Sequence, residues 1–570
     1  MAEIFGVGGP LPTIPDDLSL AQFILDAHIP TRPIRKGGIP WLIEDRTGRK
    51  IGLEELRART YGLANAFAST YKIQEEDVVC LFSPNHVVIW ATHRLGAIVT
   101  AANPSYTASE LAHQLKLTES RLLLVHPDCL DQALEASRMA NISSDRIILF
   151  DASPDAPYPC INQLVQEGLS RAASFTETPQ PGYFWLFRPS APITHDIQAV
   201  AIPHYAPIAN CMQVAVNYKI NEYLPSGVVP MFRVGDVALA AVPFFHGYAL
   251  VSWYGNCRPP SLHFSFLSQL VAFLFSGVTL VVAPKFDFED MLRSIEKYRV
   301  NILPIVPPHV VLLCKHPAVK KYDLSSITFC LVAAAPLSAE LTSQLAKVIP
   351  GSRIGQGYGL TETCVGVAIV PLSQKIGTLG SGGQLIPGIV ARVLKPDGSL
   401  AKTGEPGELM VKSPSNASHY FKDDKSTKET FIDGYVSTFP SWEEILKVRG
   451  FQVAPAELED HLLDHPDVAD ACVVGLPDEY SGELPLAYVS LHPHAIERIS
   501  HNHDETAKIK NSILRHVSDH KVYYKHLAGV EFVDVIPKSA AGKLLRRVLR
   551  EKAKESNARR EIQVSSRSKL

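Results

Sequence analysis

Short apolar runs rich in β-branched residues recur through the first three-quarters of the chain, each bounded by polar or turn-forming residues. DVVCLFS from Asp77, RLLLVHP from Arg121, RIILFD from Arg146, DVALAAVPFF from Asp236, GVTLVVAP from Gly277 and ITFCLVAAAP from Ile327 are such runs. Continuous rather than alternating hydrophobicity marks strands buried on both faces. HVVIWATHRLGAIV (His86–Val99) and FEDMLRSIEKYRV (Phe288–Val300) carry the pattern of amphipathic helices between them. Such alternation predicts an α/β fold of layered parallel sheets with helices. In YFWLFRPSAPITHDIQAVAIPH, two apolar runs, Phe184–Phe187 and Ala199–Ile202, predict a strand, a loop and a second strand ahead of His204. From about Leu379 the texture becomes Gly-rich and strand-like (GSGGQLIPGIVARVLKPDG, then GEPGELMVKSP), which predicts a β-rich subdomain.

A last unit begins near Ile445. APAELEDHLLDHPDV predicts a helix with the apolar set Leu458, Leu462 and Leu463; VADACVVGLPD and LPLAYVSLHP predict strands, and Glu505–Val517 a further helix. That is a compact α+β domain of about 110 residues, close to the usual domain size. The stretch KLLRRVLREKAKESNARR after it is most simply a solvated basic helix.

Composition adds limits. At 570 residues, and about 100–200 residues per domain, the chain should hold roughly two to four folding units. A net charge of -3 gives no basic footprint for general nucleic-acid binding, and nine scattered cysteines without a C-x-x-C pair indicate neither a disulfide framework nor a zinc site. A reducing compartment fits that usage. The N-terminus MAEIFGVGGPLP lacks the pattern of a secretory signal. Ser261–Pro284 carries no Asp, Glu, Lys or Arg, but its serines, Gln269 and Gly277 and the β-branched GVTLVV favour a buried helix–turn–strand over a membrane span. The chain ends in Ser568-Lys569-Leu570, a receptor-read peroxisomal address, behind a basic polar tail (Arg559, Arg560, Arg567) that should leave it accessible. The expected location is the peroxisome, with its import receptor as a partner.

Candidate chemistry concentrates in GQGYGLTET, Gly355–Thr363. Glycines let backbone approach a flat or anionic ligand, a Thr hydroxyl can donate to a phosphate oxygen, and a neighbouring carboxylate can hold Mg²⁺. A Gly-rich turn capping a helix at Thr361, with Glu362 in its first turn, is the plainer reading. In IPKSAAGKLLRR, Lys543 either reaches an anion on another domain or merely opens a basic helix. KVRGFQVAPAELE (Lys447–Glu459) opens the last unit, and VPFFHGYAL (Val242–Leu250) sets a histidine after a strand.

In this order and spacing, with NPSYTASELAHQL at Asn103 and GEPGEL at Gly404, these blocks resemble the adenylate-forming (acyl-CoA synthetase/luciferase-like) superfamily. Within it they resemble the 4-coumarate–CoA ligase-like acyl-CoA ligases, from about Pro15 to about Lys554. The resemblance implies an acid–thiol ligase that uses ATP, Mg²⁺ and coenzyme A and proceeds through acyl-AMP. It implies a large N-terminal domain over 1–437, a hinge over 438–446, a small mobile C-terminal domain over 447–554 and a tail over 555–570. Gln356, Gly357, Tyr358 and Gly359 would line the nucleotide site, Thr361 would bind phosphate and Glu362 Mg²⁺. Lys543 would neutralise charge developing at the reacting centre, where electrostatic catalysis acts most strongly. Domain rotation would withdraw it and bring Lys447, Arg449 and Gly450 toward nucleotide and CoA, with Gln452 nearby. His246 and Tyr248 would border the acyl pocket, Ala334 and Ala335 would form its wall, and Lys285 would meet CoA phosphate. Small wall residues suit a flat aromatic or cinnamate-like acid; a medium-chain acid is the other expectation, in lipid, phenylpropanoid or secondary metabolism.

The sequence departs from that pattern in three places. The family's Ser/Thr/Gly-rich phosphate loop ending in Pro-Lys is replaced by RPSAPITHDIQ, Arg188–Gln198, with no glycine, two prolines that offer no N–H, and Gln198 where the lysine falls. DGYVSTFPSWEEILKVRG, Asp433–Gly450, is short: Phe439 and Pro440 follow Thr438 where a ribose-binding Gly-Asp belongs, and Ser441 takes the place of an Arg. Ser252–Gln269 sits as an insertion in a segment the family keeps short. Misassigned splice junctions would account for all three. The rival reading is a non-catalytic adenylate-fold protein that binds acyl groups or a partner, and a third is an adenylating enzyme that passes acyl-AMP elsewhere.

Overall fold

A computed structural model describes residues 3–438 apart from 83–85, 105, 151–156, 178–182, 189–197, 223, 225–229, 241–266, 284–285, 334–336, 365, 380 and 396. It also describes residues 446–554 apart from 449–450, 454, 479, 502, 538–545 and 547. The chain divides into a large unit, residues 1–188 with 198–439, and a small unit carried by residues 440–570.

In the large unit, Val78–Phe82 lies in parallel between Ile98–Ala101 and Leu122–Val125, with Ile147–Leu149 beyond. Ile98–Ala101 pairs in parallel with Tyr183–Arg188, which runs antiparallel to Gln198–Pro203 in continuous register from Tyr183–Pro203 to Arg188–Gln198. His419–Tyr420 then pairs with Ala201 and Val200 at the edge of this sheet. A second sheet runs Gln384–Leu385, Ala368–Ile369, Arg353–Tyr358, Phe329–Val332, Ile302–Ile305, Val237–Ala240, Thr279–Val282, Leu42–Glu44 and Lys50–Ile51. Its inner strands are parallel and almost wholly buried, as the continuous apolar runs require. Val390–Leu394, Glu408–Lys412 and Tyr435–Ser437 build a third, antiparallel sheet, the β-rich part. One apolar core joins the first two sheets through their covering helices. In it Phe23 of Leu20–Leu25 stacks on Phe275 of Leu267–Phe275 with centroids 5.7 Å apart.

The small unit pairs Val468–Asp478 with Gly482–Leu491 in one long antiparallel ladder, extended by the hairpin of Leu446–Val448 and Phe451–Val453 on one side and by Gly529–Phe532 in parallel. Pro455–Leu463 and His503–Ser518 are its longer-range helical partners.

Several expectations need correction. The helix expected over 86–99 ends at Arg94, and Ile98–Ala101 is a buried strand. Gly96 turns the chain at φ 68°, and the β-branched Ile98-Val99-Thr100 then favours a strand over a further helical turn. Leu463 is 48% exposed, whereas Leu458 and Leu462 are buried, because the helix stops there. A helix at Pro493–His501 was not foreseen. The basic C-terminal helix is not simply solvated: Leu549 and Ala553 pack with Cys472, Val474, Leu486, Tyr488 and Ile536, and Arg546 pairs with the buried Glu459. The apolar stretch near Ser261 is described from residue 267 on. There it forms the helix Leu267–Phe275, a turn at Gly277 and the strand Thr279–Val282. Among the described residues no helix is long and apolar enough to cross a membrane.

His204, at the exit of the Gln198–Pro203 strand, is fully buried and its Nδ1 accepts the Leu20 N–H at 3.2 Å. Its ring meets that of His93 edge to face, with centroids 4.4 Å apart. Burial pushes the His204 imidazole down to about 4, and burial together with the His204 charge pushes His93 well below the ordinary value. Both groups therefore bind protons more readily in the unfolded chain, so their contribution is complete above about pH 6.5 and is lost as pH falls. Chemical denaturation should show stability declining from pH 6.5 to about 5, above the carboxylate range. The decline should be shallower in His204→Asn, which keeps an acceptor for the Leu20 N–H. A flat profile, or an unchanged slope in the variant, would contradict this.

Candidate active site

Arg353–Tyr358 pairs in parallel with Phe329–Val332 and antiparallel to Ala368–Ile369, and it delivers Gln356, Gly357, Tyr358 and Gly359 at its carboxyl end. In open α/β sheets that end is where ligands bind. The glycines differ in purpose. A Cβ on Gly355 would lie 2.2 Å from Val370 Cγ1, so internal packing demands that glycine; on Gly357 the nearest atom would be 3.6 Å away, an ordinary contact. The Gln356 Oε1 accepts the Leu337 N–H at 2.8 Å, which fixes the strand to the chain that follows residues 334–336.

Thr361–Thr363 forms a single 3₁₀ turn rather than the start of a longer helix. Leu360 N–H donates to Thr363 Oγ1 at 3.1 Å, and Cys364 ends the turn in the left-handed region at φ 49°. Thr361, Glu362 and Thr363 are all buried. A buried carboxyl group is costly unless hydrogen-bonded. The Tyr420 hydroxyl donates to Glu362 Oε1 at 2.6 Å, the Glu362 carbonyl accepts the Ala417 N–H at 2.8 Å, and Ser415 Oγ donates to the Thr363 carbonyl at 3.0 Å. Tyr420 in turn belongs to the edge strand paired with Val200. The carboxylate is thus held against the outgoing arm of the Tyr183–Pro203 hairpin.

Tyr358 is partly buried beside Thr438, with which its hydroxyl is hydrogen-bonded. Burial raises its phenol, Glu362 adds to the rise and the Thr438 bond opposes it. Thr438 N–H is anchored on the Leu409 carbonyl at 3.0 Å. The structure therefore brings Gln356, Tyr358, Thr361, Glu362, Tyr420 and Thr438 to one end of the large unit. Thr361 and Glu362 supply hydroxyl and carboxylate oxygens, the donors that Mg²⁺ takes. Tyr420 was not anticipated as a site residue: SHYFKDD carries no motif, and only the pairing of His419–Tyr420 with Ala201 and Val200 reveals its role.

In the small unit Lys447 and Gln452 face each other in register across the Leu446–Val453 hairpin. Lys285, Ala334, Ala335, His246, Tyr248, Arg449, Gly450, Lys543, Ser568, Lys569 and Leu570 lie outside the described residues, as do residues 189–197, 252–266 and 439–445 of the three departures.

Residues 35–258 and 254–421 match the model of the AMP-binding enzymes, and residues 457–543 match the AMP-binding enzyme C-terminal domain. The chain belongs to the AMP-binding enzymes. Its two stretches of family match meet at 254–258, inside the Ser252–Gln269 segment that stands out as an insertion. Among curated relatives, the chain is 30% identical to a 4-coumarate–CoA ligase-like protein of Oryza sativa over 97% of its own length and 90% of the relative's. It is likewise 30% identical to an acyl-CoA ligase of Emericella nidulans, covering 94% of this chain and 97% of that one. The amide bond synthetase McbA of Marinactinospora thermotolerans shares the fold, with a TM-score of 0.71 at 21% identity over 94% of this chain and 99% of the other. This AMP-binding enzyme is thus an adenylate-forming, 4-coumarate–CoA ligase-like protein, and by family an acid–thiol ligase.

The Tyr420 hydroxyl fixes the position of the Glu362 carboxyl group through this hydrogen bond. Hydrogen bonds to charged groups contribute about 1.5–3 kcal/mol. Tyr420→Phe should therefore lower acid-dependent pyrophosphate release by roughly tenfold to a hundredfold and raise the Mg²⁺ concentration needed for half-maximal rate, with thermal stability little changed. An unchanged Mg²⁺ titration would show that Tyr420 does not position Glu362.

Proposed function

We propose that this AMP-binding enzyme joins a carboxylic acid to ATP and then transfers the acyl group to coenzyme A. The buried Glu362, fixed by Tyr420 beside Thr361 at the mouth of the Arg353–Tyr358 strand, is the observation that carries the reading. In the first step a carboxylate oxygen attacks the α-phosphorus, the bond to the bridging oxygen breaks and pyrophosphate leaves. Gln356, Gly357 and Tyr358 frame the nucleotide, and Thr361 binds a phosphate oxygen. Glu362 would hold Mg²⁺, which when bound offsets the negative charge of the phosphates. Lys543 places a cation where charge develops. In the second step the CoA thiolate attacks the acyl carbonyl carbon and AMP leaves with the electron pair of the anhydride bond. Lys447, Arg449, Gly450 and Gln452 serve this pose, Lys285 the CoA phosphate, and His246 and Tyr248 the acyl group.

An aromatic, cinnamate-like acid is the preferred substrate class, supported by the small Ala334 and Ala335 and by the names of the plant relatives; a medium-chain acid is second. The reaction is placed in peroxisomes, supported by the terminal Ser568-Lys569-Leu570. Relatives named as acid–CoA ligases along nearly the whole chain favour this reading over a non-catalytic binder.

Purified enzyme incubated with ATP, Mg²⁺, CoA and a panel of cinnamic and medium-chain acids should form the CoA thioester, fastest with a cinnamate-like acid. Glu362→Gln should reduce turnover by about 10²–10³, the usual cost of losing an electrostatic contact of this kind. Acid-dependent pyrophosphate release without thioester would instead mark an adenylating enzyme that delivers acyl-AMP elsewhere, and neither product would mark a binder. A fluorescent fusion at the N-terminus should enter peroxisomes and lose that location when the last three residues are deleted; a cytosolic full-length fusion would refute the placement.

A further inference from the structure

The amino ends of two paired strands in the large unit carry a surplus of positive charge. Leu42–Glu44 and Thr279–Val282 run side by side in parallel, with Trp41 and Gly277 shortly before them. Trp41 and Gly277 line one cavity of about 610 Å³, whose wall is continued by the chain ahead of Trp41 and by Lys50. Arg353–Tyr358 is parallel to both strands through those lying between. The candidate active site therefore lies at the opposite, carboxyl edge of the same sheet.

Arg32, Arg35, Lys36 and Lys50 all line this cavity. The guanidinium carbons of Arg32 and Arg35 lie 5.1 and 4.8 Å from the centroid of the buried Trp41 ring, a cation–π arrangement. Arg32 Nη1 donates to the Ile24 carbonyl at 2.9 Å. Arg35 Nη1 donates to the Pro40 carbonyl at 2.7 Å, and its Nη2 to the carbonyls of Val278 at 3.1 Å and Leu274 at 3.4 Å. Ile24 and Leu274 stand in the last turns of Leu20–Leu25 and Leu267–Phe275, where helix carbonyls attract cations. These contacts fix the two side chains in place, but neutral carbonyls do not cancel their charge.

Among the described residues, none of these four cations is paired with a carboxylate. Asp26, the acidic residue of the cavity wall, is engaged by Arg57 at 3.3 Å and by Arg94 at 2.8 Å, and Arg57 also pairs with Glu54. Burial weighs most against the Arg35 charge, the like charge of Arg32 adds to it, and no anion offsets either. Half-buried like charges held together are costly until an anion joins them. Arg32 spends one of its five N–H donors, so most of its fork is available. Gly37 and Gly38, which also line the cavity, have backbone N–H groups without a partner. A Cβ on Gly37 would meet nothing within 4 Å, so packing does not call for glycine there and the bare backbone stands open to a ligand.

We propose that this cavity is a binding site for the phosphoryl groups of a polyanionic ligand, held by Arg32, Arg35, Lys36 and Lys50. Guanidinium forks match phosphate oxygens bidentately, and lysines add point charges. Four unpaired cations suit a ligand with several negative charges better than a single carboxylate. The volume falls within the usual range of small-molecule sites, about 300–1,000 Å³. The site is separate from the Thr361–Glu362 turn and does not depend on the ligase reading. Two sources carry this chemistry, a soluble polyphosphorylated metabolite and a phosphoinositide headgroup in a membrane. Ile34, 88% exposed between Arg32 and Arg35 in the chain, is the apolar side chain that a bilayer would take up in the second case.

Full-length enzyme in Mg²⁺-free buffer is titrated by calorimetry with inorganic tripolyphosphate, and sedimented with phosphatidylcholine vesicles containing phosphatidylinositol bisphosphate. The same measurements are made on the double variant Lys36→Gln, Lys50→Gln. Both lysines are exposed and unpaired, so their replacement tests the site without disturbing the packing around Trp41. Tripolyphosphate should bind, and its affinity should fall by about tenfold or more in the double variant, the scale of lost hydrogen bonds to a charged group. Sedimentation with the vesicles that the double variant loses would assign the headgroup as the source; tripolyphosphate binding without sedimentation would assign the soluble metabolite. Binding of neither probe, or binding that the double variant leaves unchanged, overturns the proposal.

Discussion

The hydrogen bond from the Tyr420 hydroxyl to Glu362 ties together segments that are far apart in sequence. Glu362 is buried in a tight turn after Arg353–Tyr358, and a carboxyl group there must find a donor or be expelled. Its donor is over-determined. The Tyr420 backbone is fixed by pairing with Val200, its N–H donates to Thr427 Oγ1 at 3.0 Å, and its ring packs edge-on against Phe431 at 5.5 Å. The same contact therefore sets the position of the turn relative to the Tyr183–Pro203 hairpin, whose connecting residues are 189–197. Catalysis by positioned charge needs this kind of rigidity, because the groups must already point where charge develops.

The departures from the family pattern stand against that framework. The hairpin arms register without a break up to Arg188 and Gln198, and Thr438 stands beside Tyr358. What differs is the chain next to these points: RPSAPITHDIQ offers no glycine-built anion nest, and Phe439 follows Thr438 in place of the family's Gly-Asp. The family match itself breaks within the inserted segment. The GQGYGLTET block thus keeps the family pattern, while the sequences of the neighbouring connecting segments depart from it. Departures confined to connecting segments are what misassigned splice junctions would produce.

Much of the fold was legible because its central strands are buried on both faces and so appear as unbroken apolar runs. Val78–Phe82, Leu122–Val125, Thr279–Val282 and Phe329–Val332 were all visible in this way. The misreadings have local causes. Apolar continuity from His86 to Val99 hid the glycine turn that separates a helix from a strand, and the basic character of the C-terminal helix hid the face that Leu549 and Ala553 bury. At the site, the GQGYGLTET block was legible as a strand end and a turn, since glycines, hydroxyls and a carboxylate cluster within it. Tyr420 was not, because it lies 58 residues from Glu362 and only strand pairing brings them together.

The most direct measurement is calorimetric titration of the chain as written with a non-hydrolysable acyl-adenylate analogue carrying a cinnamoyl group. Such an analogue has no β- or γ-phosphate, so its binding does not depend on a phosphate-binding loop. One analogue should bind per chain, and binding should weaken by about tenfold in Thr361→Val, the scale of one lost hydrogen bond to a charged group. No binding by the folded protein, or equal binding by the variant, would contradict the claim that these residues form an adenylate site.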